Sequence, residues 1–188
     1  MAIAGEATTA LFGAWRLAHL DPAGMRCFNI SVTGFWRSFF AAVLVAPLFI
    51  MLLSVAYPRL ETPPPLIRFA AAESIGYVIA WVAYPLMMAW ITRRLDCWDR
   101  YIGYIVAYNW AAVLQNAIFI PVHIAWMTGT VPAEAGFLLW LVVFGAILVY
   151  LWFIARTALG LTPLGASGIV ALDILLSLLV SSITKGLH

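Results

Sequence analysis

Five stretches of this 188-residue chain are each apolar for about twenty residues or more, and no other feature constrains its fold as strongly. They run approximately from Phe35 to Tyr57, Arg68 to Ile91, Tyr101 to Met127, Glu134 to Ala155 and Leu164 to Thr184. A hydrocarbon core about 30 Å thick needs roughly 20 residues of helix at 1.5 Å per residue, so each stretch can cross a bilayer. Within lipid the backbone must satisfy its own hydrogen bonds, and for apolar segments of this length the helix does so. The connections "PRLETPPPLI", "TRRLDCWDR", "TGTVPA" and "RTALGLTP" are short and carry turn or charge punctuation. An all-α membrane protein is expected, with five transmembrane helices in an up-and-down bundle over residues 35–188. No internal repeat is visible, and an odd span count argues against the inverted repeats of many secondary transporters.

Composition agrees, with 65% hydrophobic and 10% charged residues against the roughly 25% charged of soluble domains. The net charge of +2 comes with no cluster or stripe of Lys and Arg, which excludes nucleic acid as a partner. Cys27 and Cys97 form no CxxC pair and no even framework, so neither a zinc site nor a disulfide scaffold is indicated. No cofactor motif is present, and neither cofactor nor metal is expected.

Residues 1–34 form a separate N-terminal segment. Glu6 precedes any basic residue and Arg16 interrupts "TTALFGAWRLAHL", so no signal peptide is read. The same stretch puts Leu11, Ala14, Trp15 and Ala18 on one helical face and Thr9, Gly13 and Arg16 on the other. Two readings fit: a short amphipathic helix in the membrane interface, or a helix packed against the bundle. Asp21-Pro22 ends it, because the residue before proline is pushed out of the α region.

Orientation follows from the basic residues. Seven of the ten, Arg16, Arg26, Arg37, Arg93, Arg94, Arg100 and Arg156, fall on one side of a five-span bundle, against Arg59, Arg68 and Lys185 on the other. The excess predicts a cytoplasmic N-terminus and an outer C-terminus. Trp36, Trp90, Trp98, Trp126 and Trp152 lie near span ends, as an aromatic belt requires. Nine of the ten basic residues are Arg, which together with the high Ala content points to a GC-rich bacterial genome and a bacterial plasma membrane.

Polar residues inside the spans mark the candidate site. Asn109, Asn116 and His123 are spaced by seven on the third span, with Gln115 one residue off their line. Asp173, Ser177 and Ser181 recur every four residues on the fifth, a stripe that continues to Lys185. On the second span Glu73 heads a face shared with Tyr77, Ala80 and Tyr84. By helical rise Asp173 lies about 15 Å from the inner boundary, between the levels of Asn109 and Asn116, and Glu73 and His123 are level near the outer one. The expected site is a bundle interior in which Asp173 faces the amides and Glu73 lies near His123. Amides across helices also act as glue, and near the interface Glu73 and His123 can simply be hydrated. A midplane carboxylate costs at least about 2.5 kcal/mol on insertion scales. For Asp173 both a functional role and a structural hydrogen bond to Asn116 or Gln115 remain open.

"GASG" at 165–168 resembles the serine motif of rhomboid intramembrane proteases, but by helical rise Ser167 and His123 lie about 25 Å apart along the axis, and that family has six or seven spans. No catalytic residue is assigned. "RYIGYIVAYNW", followed by "WLVVFGAILVYLWFIARTALGLTPLGASGIVALDILLSLLV", resembles the Yip1-domain group of five-span membrane proteins. The resemblance implies five spans with N-terminus inside and C-terminus outside, and a non-enzymatic role organising or accompanying other membrane components. Residues 1–34 depart from it, being a short helix where eukaryotic members carry a long hydrophilic domain that meets trafficking partners. The bilayer is the expected partner, with a second membrane protein or another copy, and the small-residue line Ala72, Gly76 and Ala80 is a helix-packing seam, within the bundle or to such a partner. The alternative is a small-solute transporter or proton-linked channel using Asp173.

Overall fold

The computed structural model describes residues 3–187; Met1, Ala2 and His188, at the outer ends of the two regions read from the sequence, lie outside the described residues. Among the described residues there are seven α-helices and no strand: α1 (Ile3–Ala18), α2 (Val32–Ser38), α3 (Phe40–Ala56), α4 (Leu66–Arg94), α5 (Tyr101–Met127), α6 (Ala133–Leu159) and α7 (Pro163–Gly186). Five helical segments are long and apolar enough to cross a membrane: Val32–Arg59, Leu66–Arg94, Trp98–Met127, Ala133–Leu159 and Pro163–Gly186. Each contains one of the five stretches read from the sequence. The chain is an all-α integral membrane protein, and exposed side chains such as Ile67, Leu86, Val142, Leu164 and Leu178 form the apolar exterior that lipid covers.

Local chemistry sets the helix ends. The Asp21 carboxylate accepts from the Ala23 amide at 2.9 Å and opens a 3-10 turn over Pro22–Cys27, while Arg16 reaches its other oxygen at 2.6 Å. Ser31 caps α2 by accepting from the Gly34 amide at 3.0 Å, and Thr162 caps α7 with Pro163 in the first turn. Gly160 closes α6 at φ 67, left-handed geometry that glycine adopts without strain. There the Arg100 guanidinium donates to the Leu159 carbonyl at 2.9 Å, tying the start of α5 to the end of α6. Pro47, Pro85 and Pro121 sit inside helices. Each removes one backbone donor, a loss that neighbouring groups offset in membrane bundles. The Pro85 carbonyl accepts from the Tyr101 hydroxyl at 3.0 Å.

α5 is the axis of the bundle. α1, α2, α3 and α6 pack on it, α6 continues to α7, and α7 to α4. Side chains close the ring between α4 and α3: the Tyr77 hydroxyl donates to the Ala42 carbonyl at 2.6 Å, and Tyr77 stacks on Phe49 at 4.7 Å. At Gly76 a Cβ would overlap the Thr184 side chain, so α4 and α7 touch there backbone to side chain. Ala72 and Gly76 are buried, so this part of the small-residue seam packs inside the bundle, while Ala80 is exposed.

The N-terminal helix packs on the bundle through a face different from the apolar one of Leu11, Ala14, Trp15 and Ala18 read from the sequence. Ala7, Ala10, Gly13, Ala14 and Leu17 are buried, whereas Trp15 and Ala18 are exposed. The Tyr150 hydroxyl of α6 donates to the Ala14 carbonyl at 2.7 Å. Gly13 faces inward because a Cβ there would stand 2.7 Å from the Cys27 Cβ and 2.9 Å from the Gly24 carbonyl oxygen. Small residues permit this close approach, and that need overrides the hydropathy pattern. Phe12 and Trp15 are left on the outer surface.

Candidate functional site

α3, α4, α5 and α7 line an open-mouthed cavity of about 440 Å³. Its floor is aromatic. Tyr84 and Tyr108 stack with centroids 4.2 Å apart and 20° between planes, and the Tyr84 hydroxyl is hydrogen-bonded to that of Tyr104, a side chain 1% exposed. Glu73 and Lys185 line its other end, near the start of α4 and the end of α7.

Asp173 lies on this wall, 8% exposed, and its Oδ1 accepts from the Tyr108 hydroxyl at 2.9 Å. Asp173 and the amides line one cavity, but the hydrogen bond that Asn116 or Gln115 could have given it comes from Tyr108. Tyr108 starts about 10 Å along α5, close enough in level for its ring to span the remaining distance to Asp173, while the amides turn to other partners. Asn109 donates through Nδ2 to the Ser38 hydroxyl at 2.8 Å, and Ser38 donates to the Phe35 carbonyl at 2.7 Å. Both are buried, so this pair ties α5 to α2. Asn116 donates to the Ala112 carbonyl of its own helix at 2.8 Å. Gln115 keeps a buried Nε2 with no hydrogen-bond partner.

Asn109, Gln115, Asn116, Asp173, Ser177 and Glu73 all line the cavity. His123 does not. Its ring stacks on Phe119 at 5.7 Å and meets Trp126 edge-on at 6.1 Å, in a cluster that includes Trp140 of α6. The expected neighbourhood of Glu73 and His123 fails because equal depth does not fix azimuth: the drift of a seven-residue spacing on a 3.6-residue helix carries His123 toward α6. The Nδ1 of His123 and the Nε1 of Trp140 are buried without partners.

The aromatic floor is what sequence reasoning missed. Tyr104 and Tyr108 are one turn apart on α5 and face Tyr84, the last member of the polar face read on α4, a signal visible once hydroxyl-bearing rings are counted with the amides. Among the described residues no three His, Cys, Asp or Glu side chains gather as a metal site would require. Ser167 lies exposed at the start of α7 and donates to the Pro163 carbonyl of its own helix at 3.1 Å. No protein-family model, no curated protein and no solved structure matches the chain.

Proposed function

We propose that this integral membrane protein takes a small polar solute into the cavity between α3, α4, α5 and α7, with Asp173 as the group that holds it. One observation carries the reading. A carboxylate that is buried within a membrane span borders a cavity and takes its hydrogen bond from a neutral tyrosine instead of a basic side chain. Intramembrane carboxylates are costly and mark solute or ion paths, and a volume of about 440 Å³ lies within the range of small-molecule sites. With the N-terminus in the cytoplasm, as the arginine bias indicates, the Glu73 and Lys185 end faces the outside of a bacterial plasma membrane. The role as an organiser of other membrane components rests on the Yip1-like resemblance.

Thermal unfolding of the purified protein against small amines, amino acids, sugars and carboxylates tests the proposal. At least one class should raise the midpoint of the wild type and leave Asp173→Asn and Asp173→Leu unmoved. Without solute, Asp173→Asn should unfold as wild type, since it keeps an acceptor for Tyr108, and Asp173→Leu should lose about 1 kcal/mol by orphaning that hydroxyl. No stabilising class, or equal stabilisation of Asp173→Asn, would sink it.

A further inference from the structure

We infer that the solute is a small organic cation, an ammonium whose charge rests on Asp173 and whose apolar substituents lie against aromatic rings. The inference rests on the solute-binding reading above and adds the chemical class. Tyr108 is the one hydrogen-bond donor to Asp173 among the described residues, through Oδ1, which leaves Oδ2 without a donor. Tyr84 and Tyr108 beside it and Trp81 one turn along α4 line the same cavity. Ring faces attract cations, indole most strongly, and a desolvated site strengthens both that attraction and the pairing with a carboxylate.

Other ligand classes fit less well. A hard metal ion takes six or more oxygen ligands or holds its waters, whereas three metal-binding side chains gather nowhere among the described residues. A bare alkali ion does not need a chamber of about 440 Å³ walled by rings. An anion would meet the Asp173 carboxylate. A neutral solute would leave that buried charge uncompensated, which a cation corrects. Lys185 is the basic residue on the lining, and it lies twelve residues from Asp173, about 18 Å along α7 and out of pairing distance. Glu73 lines the same mouth with the opposite charge.

The test places a cysteine one helical turn from Asp173, as Ser177→Cys in the full chain in proteoliposomes. Reaction rates with a trimethylammonium and with a sulfonate methanethiosulfonate reagent are each divided by those at an exposed reference, Thr62→Cys. The normalised cation-to-anion ratio should exceed 10, and adding Asp173→Asn should bring it close to one. Choline should protect the thiol introduced by Ser177→Cys at concentrations where its neutral isostere 3,3-dimethylbutanol and sodium do not. Trp81→Leu, which leaves Asp173 in place, should weaken choline protection at least fivefold while retaining the charge preference. Reaction with both reagents at equal normalised rates, or equal protection by the neutral isostere, would refute the cation and leave the polar cavity standing. Failure of the trimethylammonium reagent to reach the introduced thiol would remove both.

Discussion

The two halves of α5 come from one continuous helix yet have opposite surroundings. From Tyr101 to Ala111 most side chains are buried, among them Tyr104, Ile105, Val106, Ala107, Asn109 and Trp110, whereas beyond Ala111 only Ile120 is. The first half is covered by α1 and α2 as well as the spans, and its amide is partnered by Ser38. The second half borders the cavity and the His123 cluster, and holds two of the buried polar atoms without partners. In lipid, burying apolar surface between helices gives little drive, so close packing arises where small residues and matched hydrogen bonds allow it. The first half is thereby a scaffold that lends Tyr108 and Asn109 to the cavity, and the second holds the polar groups left without partners.

The largest effect expected from separating the two ends is all-or-none. A thiol reagent that cannot cross the membrane should label Asp99→Cys from the cytoplasmic side and Thr62→Cys from the other. Native Cys97 is unsuited to this role, because it is buried and burial pushes its thiol up, away from the reactive thiolate. Labelling of both positions from one side would break the orientation on which the placement of the two halves rests.

Next comes the cover over the first half. Gly13→Ala would push a methyl into Cys27 and the Gly24 carbonyl, and should lower stability by about 2 kcal/mol while exposing the first thirty or so residues to protease. The same change at Gly145, where a Cβ meets nothing within 4 Å, should shift stability by less than about 0.5 kcal/mol. Equal effects at both glycines would show that α1 is not held by close packing.

The smallest effect is the ion pair that fastens α1 to α2. Arg37 donates to Glu6 at 2.7 Å and Asn29 to its other oxygen at 3.0 Å. The Arg37 guanidinium holds the Glu6 carboxyl below its ordinary value of 4.5. A depressed carboxylate contributes stability that is fully present above the unfolded value and is lost as pH falls through the folded one. The unfolding midpoint should stay flat on this account down to about pH 5 and then lose about 0.5 kcal/mol, a small figure because Arg37 is more than a third exposed and screened. Glu6→Gln should abolish that decline, and a decline of unchanged size would assign it elsewhere.

The number of spans, their limits within a few residues, the short connections and the polar stripes on α5 and α7 were legible in the chain itself. They depend on hydropathy and helical period, which are local properties. Depth was legible too, because rise per residue is fixed, and it brought Asp173, Gln115 and Asn116 to one cavity. What only the tertiary structure decided was rotation about each axis and the choice of neighbour. It turned His123 toward Trp126, gave Asp173 to Tyr108 in place of the amides, and pressed Gly13 inward where the pattern put Trp15. In a soluble protein the hydrophobic face fixes that rotation. Here lipid is as apolar as the core, so steric fit between small residues and the pairing of scarce polar groups decide it, and both belong to the contacts between helices.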